Sequence, residues 1–75
     1  MDHTYYDPRR VRELRLAKGL TQGQLAKALR VARTTVVRAE TERASYRLLC
    51  DIAAFFRVRI SRIIYEDPRP KRVRR

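Results

Sequence analysis

Apolar side chains recur at three- and four-residue intervals along this chain, which predicts a series of short α-helices. Helix 1 is expected over about residues 8–18. Asp7 and Pro8 suit its start, because Asp caps a helix and Pro fits the first helical position. Gly19 is expected to end it in the left-handed conformation. The inward-facing side chains of helix 1 are predicted to be Val11, Leu14 and Ala17.

Two shorter helices follow. Thr21 and Gln24 have the spacing of a capping box, in which each side chain accepts a hydrogen bond from the other's backbone N–H. Helix 2 is therefore expected over about residues 22–29 and, after a tight turn, helix 3 over about residues 32–41. The side chains predicted to face inward here are Leu25, Ala26, Leu29, Val31, Val36 and Ala39.

The second half of the chain contains the strongest apolar stripe. Ser45 can cap helix 4, which is expected over about residues 46–56, and a short fifth helix is expected over about residues 60–65. The stripe of helix 4 consists of Tyr46, Leu49, Ile52, Ala53 and Phe56. Together these elements predict an all-α, compact five-helix bundle that forms one domain over residues 8–67.

Both ends of the chain lack this periodicity. Residues 1–7 are predicted to form a flexible N-terminal arm, in which Tyr5 and Tyr6 are expected to pack onto the bundle rather than stack on bases. Residues 68–75 contain two prolines and a run of basic side chains, which is typical of a disordered, solvated tail.

The order of elements in the middle of the chain has functional meaning. A helix stop at Gly19 is followed by a capped short helix, a tight turn and a second short helix with one apolar flank and one flank of Arg and Thr. This is the arrangement of a helix-turn-helix, in which the second helix enters the major groove of DNA. The functional hypothesis depends on whether the polar flank of helix 3 contacts bases.

Charge supports a polyanionic partner. The 75 residues contain 19 Lys and Arg and eight Asp and Glu, for a net charge of +11. Five of those bases lie in the last eight residues, so the other 67 residues hold 14 bases and all eight acids and still carry +6. Nucleic acid is favoured over a membrane, because no helix combines a basic face with a broad apolar face.

Other classes of function are disfavoured by the composition. The chain contains no run of about 18 apolar residues, so a membrane span is not expected. The first residues do not have the pattern of a signal peptide. The single cysteine, Cys50, fits a reducing cytoplasm and is expected to be a buried small hydrophobe. The acidic residues form no pair suited to general acid–base catalysis. One His and one Cys are too few for a metal site, and a nucleophile–base pair between them is not expected. We therefore expect neither an enzyme nor a cofactor, and no small-molecule ligand is evident.

Many residues in one frame, over about residues 9–65, resemble the lambda-repressor-like (XRE-type) helix-turn-helix family. The resemblance is carried by segments 11–15, 19–22, 25–26, 33–36 and 52–53, together with Val31, Arg38, Glu40, Leu49 and Val58. It implies that Gln22 hydrogen-bonds a phosphate, that Arg33, Thr34 and Arg38 read base edges, and that Arg43 contacts the DNA backbone. It also implies an ion pair between Arg15 and Glu40.

Some positions depart from the family pattern. Arg30 and Arg57 stand in turns where the family usually has Gly, and a side chain at positive φ there costs roughly 1 kcal/mol. The loop after Glu40 is one or two residues short, with Glu42 in place of its usual Gly. The phosphate contacts of that loop are therefore less firmly implied than those of helix 3.

The side chains on the polar flank of helix 3 have the spacing and chemistry needed to recognise base edges in the major groove. Arg can donate two hydrogen bonds to guanine O6 and N7, and the Thr hydroxyl can donate or accept a hydrogen bond. Val can pack against a thymine methyl group. The predicted base-reading residues, which share one helical face, are Arg33, Thr34, Val37 and Arg38. The predicted phosphate contacts are Gln22, Thr35, Arg43 and Arg30.

We therefore expect a transcriptional regulator that binds double-stranded DNA sequence-specifically, with repression favoured over activation. It is expected to be encoded by a bacterium or phage and to lie in the cytoplasm, associated with the nucleoid. Surplus isoleucines in helix 5 (Ile60, Ile63 and Ile64) predict a homodimer. The alternatives are a protein-interaction module such as an antitoxin or adaptor, and a nonspecific nucleic-acid binder. The basic tail could follow DNA, serve as a nuclear import signal or be an incidental end; the first is favoured.

Overall fold

The computed structural model describes residues 6–64, which form four α-helices and one short 3₁₀ turn. The helices are α1 (Pro8–Ala17), α2 (Gln22–Leu29), α3 (Arg33–Thr41) and α4 (Tyr46–Phe56), and the 3₁₀ turn is Ile60–Arg62. The all-α class is confirmed, and the bounds predicted for helices 2 and 4 coincide with those of α2 and α4. No helix within the described range is long and apolar enough to cross a membrane.

Side-chain caps fix where three helices begin. Asp7 Oδ1 accepts a hydrogen bond from Arg9 N at 3.0 Å, and Ser45 Oγ accepts one from Leu48 N at 3.1 Å. At α2 the complete capping box is present: Thr21 Oγ1 accepts from Gln24 N at 3.0 Å, and Gln24 Oε1 accepts from Thr21 N at 2.9 Å. These caps satisfy backbone donors that the helix itself leaves unpaired.

Left-handed residues end three of the helices. Gly19 has φ 71°, Arg30 has φ 62° and Arg57 has φ 58°. The predicted strain at both arginines is therefore present, since a non-glycine residue in this region costs roughly 1–2 kcal/mol.

The core lies where all four helices meet. Its largest fully buried side chains are Val11, Leu25, Val36, Leu49, Ile52 and Ile63. Ala26 and Ala39 are also buried, which lets α2 and α3 approach closely. Leu14, Leu20, Leu29 and Val31 are half-buried and pack against this core.

Three predicted core positions are corrected. Ala17 is exposed, because six residues at about 100° each turn it well away from Val11. Tyr46 is 52% exposed, since it occupies the first position of α4 at the edge of the stripe. Cys50 is half-buried rather than buried.

The predicted fifth helix is only the 3₁₀ turn at Ile60–Arg62. It ends there because the chain straightens to form an antiparallel bridge between Ile64 and Tyr6. The Ile63 carbonyl accepts a hydrogen bond from Asp7 N at 3.2 Å and is thus not available to continue a helix.

The isoleucines of this region are not surplus to the core. Ile63 is 0% exposed, and Ile60 and Ile64 pack partly buried against the same core. The prediction that these three residues form a dimer face is therefore wrong for Ile63, because its side chain is fully buried in the core of its own chain.

Tyr6 and Asp7, which were predicted to belong to a flexible N-terminal arm, are anchored to the domain. Tyr6 is only 9% exposed, and its hydroxyl donates a hydrogen bond to the Ala39 carbonyl at 2.8 Å. Burial raises the pKa of Tyr6 to about 12. Tyr6 thus packs onto the bundle as expected, and Asp7 caps α1, so neither belongs to a flexible arm. Tyr5 and the predicted tail at residues 68–75 lie outside the described residues.

Candidate nucleic-acid interface

A buried polar network joins the elements of the helix-turn-helix. Arg15 and Glu40, 8% and 6% exposed, form the ion pair that the resemblance implies. Arg15 Nε lies 2.6 Å from Glu40 Oε2, and Arg15 Nη2 lies 3.1 Å from Glu40 Oε1. This two-pronged geometry is the strong form of an Arg–carboxylate contact. It fixes α1 against the last turn of α3.

Two further hydrogen bonds extend the network to the start of α2. Arg15 Nη1 donates to the Leu20 carbonyl at 2.7 Å. Gln22 Nε2 donates to Glu40 Oε1 at 3.2 Å, so the predicted phosphate-binding amide is already held by a carboxylate. No local sequence pattern predicts this contact, because Gln22 and Glu40 lie 18 residues apart. One N–H of the Gln22 amide remains for an outside acceptor.

The turn between α2 and α3 is closed by backbone hydrogen bonds. Arg30 N donates to the Lys27 carbonyl at 3.2 Å, and Val31 N donates to the Ala26 carbonyl at 3.0 Å. This pairing is typical of a helix end with a left-handed residue. Val31 is half-buried beneath the turn, which holds the first turn of α3 in a fixed position relative to α2.

The outward face of α3 carries the predicted base-reading residues. Arg33, Thr34 and Arg38 are exposed, whereas Val37 is half-buried. Neither guanidinium of Arg33 and Arg38 has an ion-pair partner within residues 6–64. Two cationic forks and a hydroxyl are therefore displayed on one rigid helix, which suits recognition of guanine edges or phosphates.

The first turn of α3 adds to the positive character of this face. Its cap residue, Ala32, provides no side-chain hydrogen bond, and no acidic residue lies in the first turn. The helix dipole therefore meets no negative side chain there. Residues 6–64 hold 14 of the basic residues and five of the acidic ones, so the described domain carries +9.

Two open clefts flank the outward face of α3. One brings Gln22 together with Arg33, and it is lined by Arg15, Leu16, Gly19, Leu20, Thr21, Gln22, Gly23 and Arg33. The other brings Arg38 together with Arg43 and Thr35, and it is lined by Thr35, Arg38, Arg43, Ala44, Ser45 and Leu48. Predicted base-reading and phosphate-contacting residues thus share each cleft. Arg30 lies in neither lining and occupies the turn before α3.

Sequence reasoning did not identify Leu16 as part of this surface. Its side chain is 54% exposed and borders the cleft that contains Gln22 and Arg33. The available signal was its place off the inward stripe of α1, where a large apolar residue is unexpected.

Two other arginines of α1, Arg9 and Arg10, have hydrogen-bond partners near the ends of the described range. Arg9 Nε lies 3.2 Å from Asp7 Oδ1, and the pKa of Asp7 is lowered by the hydrogen bonds it accepts from the Arg9 side chain and backbone. Arg10 Nη1 donates to the Arg62 carbonyl at 3.3 Å. These contacts tie the start of α1 to Asp7 and Arg62.

Within residues 6–64, no three His, Cys, Asp or Glu side chains come together as a metal site would require. A family model described as helix-turn-helix matches residues 11–63, which is 53 of the 75 residues. No curated protein and no solved structure matches the chain. The matched segment contains α2, α3 and the whole polar network.

Proposed function

Because the chain belongs to the lambda-repressor-like helix-turn-helix family, we propose that it is a sequence-specific double-stranded DNA-binding transcriptional regulator, acting as a repressor. The observation that carries this proposal is the outward face of α3. Arg33 and Arg38 are exposed there without an ion-pair partner in the described range, on a helix whose opposite face is locked into the core.

In this proposal α3 lies in the major groove. An Arg side chain donates two hydrogen bonds to guanine O6 and N7, and the Thr34 hydroxyl donates or accepts one. Val37 contacts a thymine methyl group. Gln22, Thr35, Arg43 and Arg30 set the register of the domain on the phosphates that border the groove. The buried network around Glu40 presents α2 and α3 as one rigid unit, so the reading residues lose little conformational freedom on binding.

Repression would then be steric. A domain that occupies its operator excludes other proteins from that stretch of DNA. The charge of +9 on residues 6–64 favours fast association with DNA and makes binding salt-dependent.

The test is selection of bound duplexes from a random pool at about 150 mM salt, a physiological ionic strength. Three proteins are compared: the parent, the Arg33→Ala/Arg38→Ala variant, and a control with Arg47→Ala/Arg59→Ala. The control removes the same charge from exposed positions outside the predicted contacts. We expect a motif with the parent and the control, and its loss in the α3 variant.

The other outcomes contradict the proposal in different ways. If the pool stays random while binding persists, the domain is a nonspecific nucleic-acid binder driven by charge. If no duplex is retained at this salt, the protein-interaction alternative, an antitoxin or adaptor, takes its place. A two-fold symmetric motif would show that two copies bind one operator.

A further inference from the structure

An exposed leucine lies in one of the two clefts that flank α3. Leu16 is 54% exposed near the end of α1, and its side chain does not belong to the apolar cluster of the core. Two other large apolar side chains are exposed, and both have partners in their own helix. Phe55 lies edge-on to Phe56, with 5.0 Å between ring centroids, and Tyr46 is hydrogen-bonded with Cys50. A single exposed leucine is ordinary on a protein surface, so the surroundings of Leu16 decide what it can bind.

The cleft that contains Leu16 is lined by both apolar and polar side chains. Leu16 and Leu20 line it together with Gln22 and Arg33, and none of its lining residues in the described range is acidic. Space beside the leucine is open, because a Cβ added to Gly19 in the same lining would meet no atom within 4 Å. The cleft therefore suits a partner that presents an apolar group next to an anionic one.

A DNA strand has this combination of groups. The deoxyribose links the phosphate of each nucleotide to its base, and its carbon-bound hydrogens are apolar. Contacts to phosphate oxygens and to sugars are the ones that position a protein on the duplex. With Gln22 on a phosphate and Arg33 at a base edge, as the proposed function has them, a sugar of the bound strand faces the cleft that these two residues share with Leu16.

We propose that Leu16 is a further DNA-contacting residue, which packs against a deoxyribose of the backbone beside Gln22. The proposal rests on the DNA-binding function above and adds to it a contact that does not depend on charge. A sugar is favoured over a thymine methyl group, because Leu16 belongs to α1 and not to α3, the helix proposed to enter the groove.

Three variants of the full chain test this contact. Leu16→Ala removes most of the apolar side chain, whereas Leu16→Met keeps its volume and apolar character. Tyr46→Ala is the matched control, because Tyr46 is 52% exposed and lines neither of the two clefts. Each variant is compared with the parent by thermal unfolding, by duplex selection, and by affinity for the selected duplex across a series of salt concentrations.

We expect Leu16→Ala to bind DNA about fivefold more weakly, since covering the exposed half of a leucine contributes about half of its full burial free energy. The slope of log K against log salt should not change, because an apolar contact releases no counterion, whereas a lost phosphate contact would reduce it by about 0.9. The selected motif and the Tm of Leu16→Ala should match those of the parent. Leu16→Met and Tyr46→Ala should bind as the parent does.

The proposal is overturned if Leu16→Ala binds with the affinity of the parent, if its salt slope falls, or if Tyr46→Ala weakens binding equally. A selected motif that changes at one position in Leu16→Ala would assign this residue to a base and overturn the sugar contact. A parent that retains no duplex refutes the DNA-binding function and this contact with it. If the parent binds duplexes without sequence preference, the same variants are compared on a random duplex, because a sugar contact does not depend on sequence. The sugar contact and the sequence-specific function therefore fail separately.

Discussion

At the scale of single residues, Glu40 accepts three hydrogen bonds from two other helices. Its side chain is 2% exposed, and its partners are the Arg15 guanidinium and the Gln22 amide. A buried carboxylate is stable only while its charge is compensated. Arg15 supplies that compensation and also donates to the Leu20 carbonyl, so one guanidinium fixes three parts of the chain.

We expect Arg15→Ala to destabilise the fold by about 3–5 kcal/mol, because it leaves the Glu40 charge buried without its partner. The measurement is the free energy of unfolding from urea denaturation. Arg12→Ala is the matched control, since Arg12 is exposed on the same helix and its loss should change stability by less than about 0.5 kcal/mol. Equal effects of the two substitutions would contradict a structural role for the buried pair.

At the scale of elements, the two glycines around α2 differ in what they do. Gly19 has φ +71°, a conformation that ends α1 and that other residues rarely adopt. Gly23 is helical, and a Cβ added there would approach only Thr21 Oγ1, at 3.9 Å, which is ordinary contact. The backbone therefore needs glycine at the first position and not at the second.

Gly23→Ala should stabilise the domain, by about 0.5 kcal/mol, since alanine lowers the conformational entropy of the unfolded chain and favours the helix. Gly19→Ala should destabilise it by about 1–2 kcal/mol, because the left-handed conformation is strained for alanine. Thermal unfolding of both variants beside the parent checks the pair. A loss of stability in Gly23→Ala would show that α2 tolerates no added methyl group at its start.

At the scale of the whole molecule, Tyr6 connects the two ends of the described chain to α3. Its backbone pairs with Ile64, and its hydroxyl binds the Ala39 carbonyl in α3. The neighbouring Asp7 N donates to Ile63, which completes the closure. The position of α3 thus depends on a residue 33 positions earlier in the sequence.

The raised pKa of Tyr6 makes stability depend on alkaline pH. An unfolded tyrosine ionises near pH 10 and the folded Tyr6 near pH 12, so the unfolded state binds fewer protons in this interval. Stability from Tyr6 is therefore fully present below pH 10 and is lost between about pH 10 and 12, amounting to about 2 kcal/mol.

Denaturation curves at pH 9 to 12 test this dependence. Tyr6→Phe should be less stable at neutral pH, since the Ala39 carbonyl loses its donor, and should show a shallower decline above pH 10. Tyr46→Phe is measured beside it, because the pKa of Tyr46 is also raised, by its hydrogen bond with Cys50, although this residue is 52% exposed. An alkaline decline that is the same in the parent and in Tyr6→Phe would rule out Tyr6 as its source.

The sequence by itself determined the features that depend on neighbours a few residues away. The capping box of Thr21 and Gln24 and the cap at Ser45 involve partners three residues apart, so helices 2 and 4 were predicted with their correct bounds. The left-handed conformation of Arg30 was predicted from the family resemblance, because the family usually has Gly in that turn. The same periodicity placed Arg33, Thr34 and Arg38 on an exposed face of α3.

Only the tertiary structure decided which side chains are buried or hydrogen-bonded within the fold and which remain accessible to a partner. Ile63 is fully buried, Tyr6 is anchored to α3, and Gln22 is held by Glu40, through contacts that join residues distant in sequence. Leu16 is left exposed and lines a cleft together with Arg33 of α3. Helical periodicity reports one face of one helix, whereas burial depends on how several faces meet, and that arrangement is set by the packing of the whole domain.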